Sequence, residues 1–228
     1  MIPLLLAGCG GAGSKAEETA LEIRSACISA STCTGSAEIT ADYGQRVYRY
    51  QMDFQAGQEE TALEIRSACM SASACTGSAE ITADYGQRVY RYQMDFQAGQ
   101  QETVLTLTGP DTVAGVVARL PNEGESLLEY DGAVLETGPL NEDGLTPVSA
   151  IPAVLNAARQ GYLETCTLEE REGREELRML IRDPEQPLGQ GLESSLWFDT
   201  QTQSLLRAEL CQDGFCVIQC QFSQFTME

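Results

Sequence analysis

The chain has 228 residues, a formal net charge of -20 at pH 7 and no histidine. Such an excess of negative charge repels nucleic acid and anionic lipid headgroups, so we expect no nucleic-acid partner, and membrane association needs an anchor. The lack of histidine excludes Ser-His-Asp and Cys-His nucleophile systems and histidine-ligated zinc. Nine cysteines are many for a reducing cytosol and favour an exported protein.

The first residues contain a match to a bacterial lipobox, the signal that places a cysteine for lipid attachment. The motif runs from Leu6 through Ala7 and Gly8 to Cys9, after an apolar run. Small residues suit a signal peptidase, so the sequence predicts cleavage before Cys9 and lipidation of this residue. The run before Cys9 is short and lacks Lys and Arg, so we expect the true translation start upstream. We assign residues 1–8 to a truncated signal peptide and residues 9–16 to a tether.

A long stretch of sequence occurs twice in direct succession. Residues 17–58 are repeated as residues 59–100 with two differences, Ile28 against Met70 and Thr32 against Ala74. A solenoid needs further copies to bury each unit on the next, and no third copy follows. We therefore infer an in-frame duplication of a shorter chain. We expect residues 59–228 to form the complete domain and residues 17–58 to be a surplus copy.

Each copy begins with a helical pattern and continues as a strand pair. Apolar residues of the second copy recur at helical spacing, at Ala62, Ile65, Cys69 and Ala72. Residues 79–96 then alternate between apolar and polar, with a turn at Tyr85-Gly86, which indicates a half-buried hairpin. Its inward face is rich in aromatic and methionine side chains, at Tyr90, Tyr92, Met94 and Phe96. Such a face forms either ordinary core or the adaptable wall of an apolar cavity.

The rest of the chain consists of strand patterns separated by Gly, Pro and Asp-Gly turns, which is typical of an antiparallel sheet. One helix interrupts it at residues 149–162, with Ile151, Val154 and Leu155 on one face. With one copy of the hairpin the sheet has eleven strands, and so long a sheet must curl to bury its apolar face. The predicted strands are residues 102–108, 112–120, 125–130, 133–137, 165–170, 175–182, 194–199, 204–211 and 215–226.

The last hairpin is compatible with two registers. A two-residue turn at Asp213-Gly214 places Cys211 opposite Cys216, close enough for a disulfide. A three-residue loop with Gly214 in the left-handed conformation makes these cysteines diagonal neighbours instead. We prefer the three-residue loop, because burial fixes register and this loop sets apolar residues against each other. The residues concerned are Leu206, Ala208 and Leu210 on one strand and Cys216, Ile218 and Cys220 on the other.

A second cysteine pair, Cys69 and Cys75, lies between a helix end and a strand start, which a local disulfide could span. The candidate disulfide cysteines are therefore Cys69, Cys75, Cys211 and Cys216. No CxxC occurs, so the sequence supports neither a redox motif nor a zinc knuckle, and we expect no metal site.

The order of these elements resembles the LolA/LolB-like lipoprotein superfamily, which includes GerS-type germination lipoproteins of spore formers. The resemblance covers about residues 62–227 and depends on the lipobox, the tether, one helix, a long sheet with a turn at Tyr130 to Gly132, and the helix at residues 149–162. It implies a mainly β fold with α, in which an unclosed half-barrel of about eleven strands wraps an apolar cavity and a helix covers it as a lid. It implies no catalytic residues and no cofactor.

The first functional hypothesis is a non-catalytic lipoprotein anchored through Cys9 on the outer face of the bacterial cytoplasmic membrane or in the cell envelope. Its partner is a lipid or the acyl chain of a lipidated protein. The residues expected to line the cavity are Tyr90, Tyr92, Met94, Phe96, Leu105, Leu107, Ile151, Val154 and Leu155.

The second hypothesis is a structural or regulatory partner of another envelope or spore-wall protein, with no ligand in the cavity. The two copies compete for one place in the sheet, so the surplus hairpin is free to pair with a second chain and form a homodimer. We do not expect an enzyme. The acidic runs at residues 169–172 and 175–176 flank a turn at Gly173 and are explained by a solvated charged loop.

Overall fold

A computed structural model describes residues 33–42, 47–56, 59–138 and 143–228. The chain divides into two compact units, Met1–Gln58 and Glu59–Glu228. The predicted signal peptide, the lipidation site at Cys9, the tether and the helix of the first copy lie outside the described residues. The described helices are all too short or too polar to cross a membrane.

The first unit contributes one antiparallel hairpin, β1 (Cys33–Asp42) paired with β2 (Val47–Ala56). Its register runs from Cys33 opposite Ala56 to Asp42 opposite Val47. The second copy forms the same hairpin in the same register, from Cys75 opposite Ala98 to Asp84 opposite Val89. The two hairpins match because their sequences are identical over these strands.

The second unit contains two helices and one sheet of eleven strands. The elements before the second helix are α1 (Glu59–Ser71), β3 (Cys75–Asp84), β4 (Val89–Ala98), β5 (Glu102–Gly109), β6 (Val117–Pro121), β7 (Ser126–Tyr130) and β8 (Ala133–Gly138). The remaining elements are α2 (Ala150–Gln160), β9 (Leu163–Arg171), β10 (Arg174–Arg182), β11 (Leu192–Asp199), β12 (Leu205–Gln212) and β13 (Phe215–Met227).

The strands of the second unit are arranged as an open antiparallel sheet. Their order is β8-β7-β6-β5-β4-β3-β13-β12-β11-β10-β9, so β8 and β9 are the edges. Only the second-copy hairpin lies within this sheet, while β1 and β2 form a separate two-stranded sheet. The predicted fold, mainly β with α and with an unclosed sheet of about eleven strands, is confirmed.

Alternating burial gives the sheet an apolar inner face and a polar outer face. On β10, for example, Leu177, Met179 and Ile181 are buried in the core, while the residues between them lie on the other side. Both helices pack on the inner face: α1 contacts β10, and α2 contacts α1, β11 and β12. The predicted second helix is therefore confirmed, and its apolar stripe faces the sheet.

Two sequence predictions of strands were inaccurate. The predicted strand at residues 112–120 begins only at Val117, because the chain after Pro110 first turns. The amides of Val113 and Ala114 donate to the Pro110 carbonyl oxygen at 2.9 and 3.1 Å, which closes that turn. The predicted strand at residues 165–170 extends over Leu163–Arg171.

The last hairpin combines features of both predicted registers, so the preferred three-residue loop was wrong. Asp213 and Gly214 form a two-residue turn with φ of 51° and 78°, and Cys211 lies directly opposite Cys216. A bulge then shifts the register, so Leu210 pairs with Ile218. The extra residue in the bulge allows a tight turn and apolar alignment to coexist.

We predict that one copy of the repeat suffices for the fold. Chains lacking either residues 17–58 or residues 59–100 differ from each other only at the two substituted positions, of which Met70 is exposed. We expect both to unfold cooperatively in urea, with free energies of unfolding within about 0.5 kcal/mol of each other, the range for surface substitutions. Failure of both to fold contradicts the interpretation of a surplus copy.

Candidate functional site

The residues predicted to line a cavity form two groups on the inner face of the sheet. The sheet group lies on β4 and β5, where Met94 pairs with Leu107 and Phe96 pairs with Leu105. The lid group lies on α2. Six of the nine residues belong to one buried core cluster, namely Met94, Phe96, Leu105, Ile151, Val154 and Leu155.

The other three predicted residues differ in how exposed their side chains are. Leu107 is buried, Tyr92 is half-buried against the core, and Tyr90 is exposed. Two described surface cavities, of about 400 and 380 Å³, are lined by other residues. In this structure α2 packs on the sheet, and its residues Ile151, Val154 and Leu155 are buried.

Three tyrosines mark one end of the site. The ring of Tyr90 lies 6.2 Å from that of Tyr85 and 6.5 Å from that of Tyr92, between ring centroids. The Tyr85 hydroxyl donates to the carbonyl oxygen of Leu145, in the segment leading into α2, at 3.1 Å. Burial raises the pKa of Tyr85. Partly exposed aromatic rings beside the start of the lid helix form an amphipathic rim.

Three phenylalanines form a second cluster on this face. The ring of Phe96 lies 5.9 Å from that of Phe222 and 6.2 Å from that of Phe225, and the last two are 6.1 Å apart. Phe222 and Phe225 were not among the site residues predicted from the sequence. The alternation along β13 after Ile218 could have identified Phe222, but a register shift between Ser223 and Thr226 hides the position of Phe225.

Arginines fasten the C-terminal end of α2 to α1. Arg66 on α1 donates from Nη2 to the carbonyl oxygens of Gly161 at 2.8 Å and Arg159 at 3.3 Å. Arg159 donates in return from Nε to the carbonyl oxygen of Cys69 at 3.0 Å, and its Nη2 lies 3.6 Å from the sulfur of Cys75. Both arginines thus satisfy carbonyl groups that a helix end leaves without a partner inside the helix.

The N-terminal end of α2 is held by a local motif and by close packing. The amide of Thr146 donates to Oγ of Ser149, and the amide of Ser149 donates to Oγ1 of Thr146, both at 3.2 Å. Gly144 has a φ of 71°, and a Cβ at this position would overlap Cβ of Ala153 and lie 2.9 Å from Cδ1 of Leu210. Only glycine allows the chain to approach α2 so closely.

The four candidate disulfide cysteines are all thiols in this structure. Burial raises the pKa of Cys69 to about 11, and it also raises the pKa of Cys75. Cys211 and Cys216 lie on the outer face of the sheet and directly opposite each other. Disulfides at both pairs stay a prediction.

A polar network on the outer face corrects the interpretation of the acidic runs as a solvated loop for Glu169 and Glu176, while Glu170, Glu172 and Glu175 are exposed as predicted. Glu176 is only 6% exposed, and its Oε2 lies 2.9 Å from Nη2 of Arg207. Trp197 donates from Nε1 to Glu169 at 2.9 Å, and the guanidinium carbons of Arg178 and Arg207 lie 5.3 and 4.4 Å from the Trp197 ring. Glu176 lies on the outer face of β10, and its burial depends on Arg207 from β12.

Comparisons with known proteins locate similar folds among solved structures. No protein family and no curated protein matches the sequence. A LolA superfamily protein from Nitrosomonas europaea is 10% identical, with 75% of this chain and 93% of that chain covered and a TM-score of 0.43. The lipoprotein LppX from Mycobacterium tuberculosis is 15% identical, with 73% and 95% covered and a TM-score of 0.42.

A third similar structure is that of the CwlD amidase from Clostridioides difficile in complex with the GerS lipoprotein. It is 10% identical, with 98% of this chain and 100% of that chain covered and a TM-score of 0.38. Proteins of the kind that the sequence resembles, LolA-like proteins and lipoproteins, are among these structural matches. At these identities the likeness concerns the fold.

We predict that Arg66→Ala loosens the lid helix. It removes one hydrogen bond of 2.8 Å and one long hydrogen bond of 3.3 Å from a charged donor, and one good bond of this kind contributes about 1.5–3 kcal/mol. We expect a loss of about 2 kcal/mol in the free energy of unfolding and faster hydrogen exchange in α2. Arg91→Ala, at an exposed position on β4, is the control and should change neither. Unchanged exchange in α2 of Arg66→Ala rules out the proposed fastening.

Proposed function

We propose that this protein is an extracytoplasmic lipoprotein, anchored through Cys9 in the bacterial envelope, that binds an apolar ligand between α2 and the inner face of the sheet. The ligand class is a lipid or the acyl chain of a lipidated protein, and no covalent chemistry takes place. The observation that carries the proposal is the separate apolar cover that α2 forms on an open sheet. Ile151, Val154 and Leu155 are buried by this contact.

The attachment of α2 suits a cover that can be displaced. Its apolar stripe is short, and directional contacts hold it at its two ends, through Arg66 and Arg159 at one end and the Thr146 to Ser149 motif at the other. Lifting the stripe exposes apolar area at a cost of roughly 25 cal/mol per Å². An acyl chain that fills the same space returns about 0.8 kcal/mol for each methylene group buried. A chain of ordinary length can therefore offset the opening of the lid.

The chemistry of the described residues supports binding rather than catalysis. The chain has no histidine to act as a general base. The thiols of Cys69 and Cys75 lie near α2, but burial raises their pKa values, which keeps them protonated and poorly nucleophilic at neutral pH.

A binding assay with a polyene fatty acid, whose fluorescence rises in an apolar site, tests the proposal. Val154→Thr keeps the shape of a buried lid residue but adds a hydroxyl group, which costs about 1–3 kcal/mol when buried. We expect the affinity for the probe to fall about tenfold, while Asn156→Thr at an exposed position of the same helix leaves it unchanged. Equal affinities for both variants, or no binding by the wild type, contradict the proposal.

A second candidate function is a structural or regulatory role towards another envelope protein, and one observation favours it. The edge strand β8 is exposed over nearly its whole length, and Val134 and Leu135 on it are each 62% exposed. An exposed apolar edge strand is a template for a strand from another chain. The surplus hairpin of a second copy is one such strand, so a homodimer belongs to this proposal. Val134→Lys should abolish such an association, measured by analytical ultracentrifugation, without changing probe binding.

A further inference from the structure

Two thiols and a carboxylate converge on the outer face of the sheet, beside the last turn. Cys211 on β12 and Cys216 on β13 lie opposite each other, and Glu209 lies two residues before Cys211 on the same face. One ligand atom from each of these three half-buried residues lies within 4.8 Å of the other two. This cluster is separate from the lid and from the inner face.

We propose that Glu209, Cys211 and Cys216 bind a thiophilic divalent cation such as Zn²⁺, with a fourth position open to water. Tetrahedral zinc takes thiolate sulfur at about 2.3 Å and carboxylate oxygen at about 2.0–2.2 Å, which sets its ligand atoms roughly 3.5–3.8 Å apart. The observed cluster, whose ligand atoms lie within 4.8 Å of one another, reaches that size through small side-chain rotations. Binding exchanges two thiol protons for two metal-sulfur bonds, and the protons leave to solvent.

The surroundings of the cluster favour a cation over an anion. Glu193 on β11 pairs with Cys211 across the neighbouring ladder, which brings a second carboxylate to this side of the hairpin. The amide of Gly189 donates to one oxygen of Glu193 at 2.7 Å, which fixes that side chain. Arg178 and Arg182, which pairs with Glu193, place two guanidinium groups near this side of the hairpin. Arg182 lies 3.2 Å from the carboxylate of Glu164, so two thiolates and two carboxylates still outweigh one further guanidinium group.

The strand geometry holds the donors in place without a flexible loop. The two-residue turn at Asp213-Gly214 and the register shift between Leu210 and Cys211 fix the positions of both thiols. A cation bound here links β12 to β13 and stabilises the folded state by mass action. Strand pairing across a turn brings these two cysteines together, so the site does not need the short CxxC spacing, which the sequence lacks.

Titration of the full chain with Co²⁺ under a phosphine reductant tests this site. The wild type should show a thiolate-to-cobalt charge-transfer band and tetrahedral d–d bands. In each of the variants Cys211→Ser and Cys216→Ser, the signal from one equivalent of bound Co²⁺ should be lost. Glu209→Gln should weaken the binding by at least roughly tenfold, the lower limit for loss of a supporting group. Cys166→Ser, on β9, is the control and should titrate like the wild type.

Two results overturn the proposal. One is a Cys211→Ser variant that binds as much Co²⁺ as the wild type, which assigns the signal to other cysteines. The other is a wild type without a charge-transfer band. Mass analysis after alkylation then shows whether a disulfide between Cys211 and Cys216 survives the reductant and takes the place of the metal site.

Discussion

We expect Arg207→Ala to lower the free energy of unfolding by about 3–5 kcal/mol, which is the usual cost of removing one partner of a buried ion pair. The Arg207 side chain is 13% exposed and lies 2.9 Å from Glu176 and 3.4 Å from Glu169. Its guanidinium also covers the Trp197 ring. Removing it leaves the Glu176 carboxylate buried without its charge partner.

The loss of stability caused by Arg207→Ala should depend on pH. Burial raises the pKa of Glu176 in the folded protein. We expect the loss of Arg207, whose Nη2 lies 2.9 Å from Oε2 of Glu176, to raise this pKa further. A carboxyl group whose folded-state pKa lies above its unfolded value favours the folded state when it is protonated, and this contribution disappears as pH rises through the folded pKa. The deficit of Arg207→Ala should therefore be largest near neutral pH and shrink as pH falls through the raised pKa of Glu176. Urea unfolding at a series of pH values measures it.

Two further variants test whether the broken ion pair causes the loss of stability. Arg91→Ala removes an exposed arginine from β4 and should cost little. Arg207→Met combined with Glu176→Leu removes both charges and keeps the packing volume, and it should recover most of the loss. A free energy of unfolding for Arg207→Ala within about 1 kcal/mol of the wild type at neutral pH contradicts a buried, paired Glu176.

We expect a loss of about 2–5 kcal/mol from Gly144→Ala, as the sum of left-handed strain of about 1–2 kcal/mol and overpacking of about 1–3 kcal/mol. The added Cβ meets Ala153 on α2 and Leu210 on β12. The helix must therefore move away from the sheet at its N-terminal end. Thermal unfolding should show the loss, and hydrogen exchange should locate the movement in α2.

A matched glycine separates the two contributions. Gly173 has a φ of 76°, close to the 71° of Gly144, but a Cβ there meets nothing within 4 Å. Gly173→Ala should therefore cost only the backbone strain, about 1–2 kcal/mol. Equal losses for the two variants mean that Gly144 does not pack against the lid helix.

Much of the fold was predictable because local patterns and tertiary structure agree. The alternation along residues 79–96 identified β3 and β4, and the stripe of Ile151, Val154 and Leu155 identified both α2 and its buried face. The repeat also set the register of its hairpins, since strands of identical sequence pair in the same way.

What the sequence could not provide depends on contacts between distant strands. The bulge between Leu210 and Cys211 adds one residue to one strand, and no period along the chain signals it. Glu176 occupies the polar phase of β10, so its burial depends on Arg207 from another strand.

The candidate site shows the same limit. The alternation of β4 and β5 placed Met94, Phe96, Leu105 and Leu107 on one face, and the structure buries all four. Whether α2 lies directly on such a face or encloses a space above it depends on the depth of packing between helix and sheet. That depth is set by contacts such as Gly144 against Ala153, which lie outside any sequence period.

Native mass spectrometry of the full chain, purified from the envelope of a bacterial host, tests most directly whether the inner face binds an apolar ligand. We predict a protein that carries releasable lipid of several hundred daltons in addition to any anchor at Cys9, and that loses this lipid in Val154→Thr but keeps it in Asn156→Thr. An empty chain, or a lipid load that is the same in both variants, contradicts a binding site beneath α2.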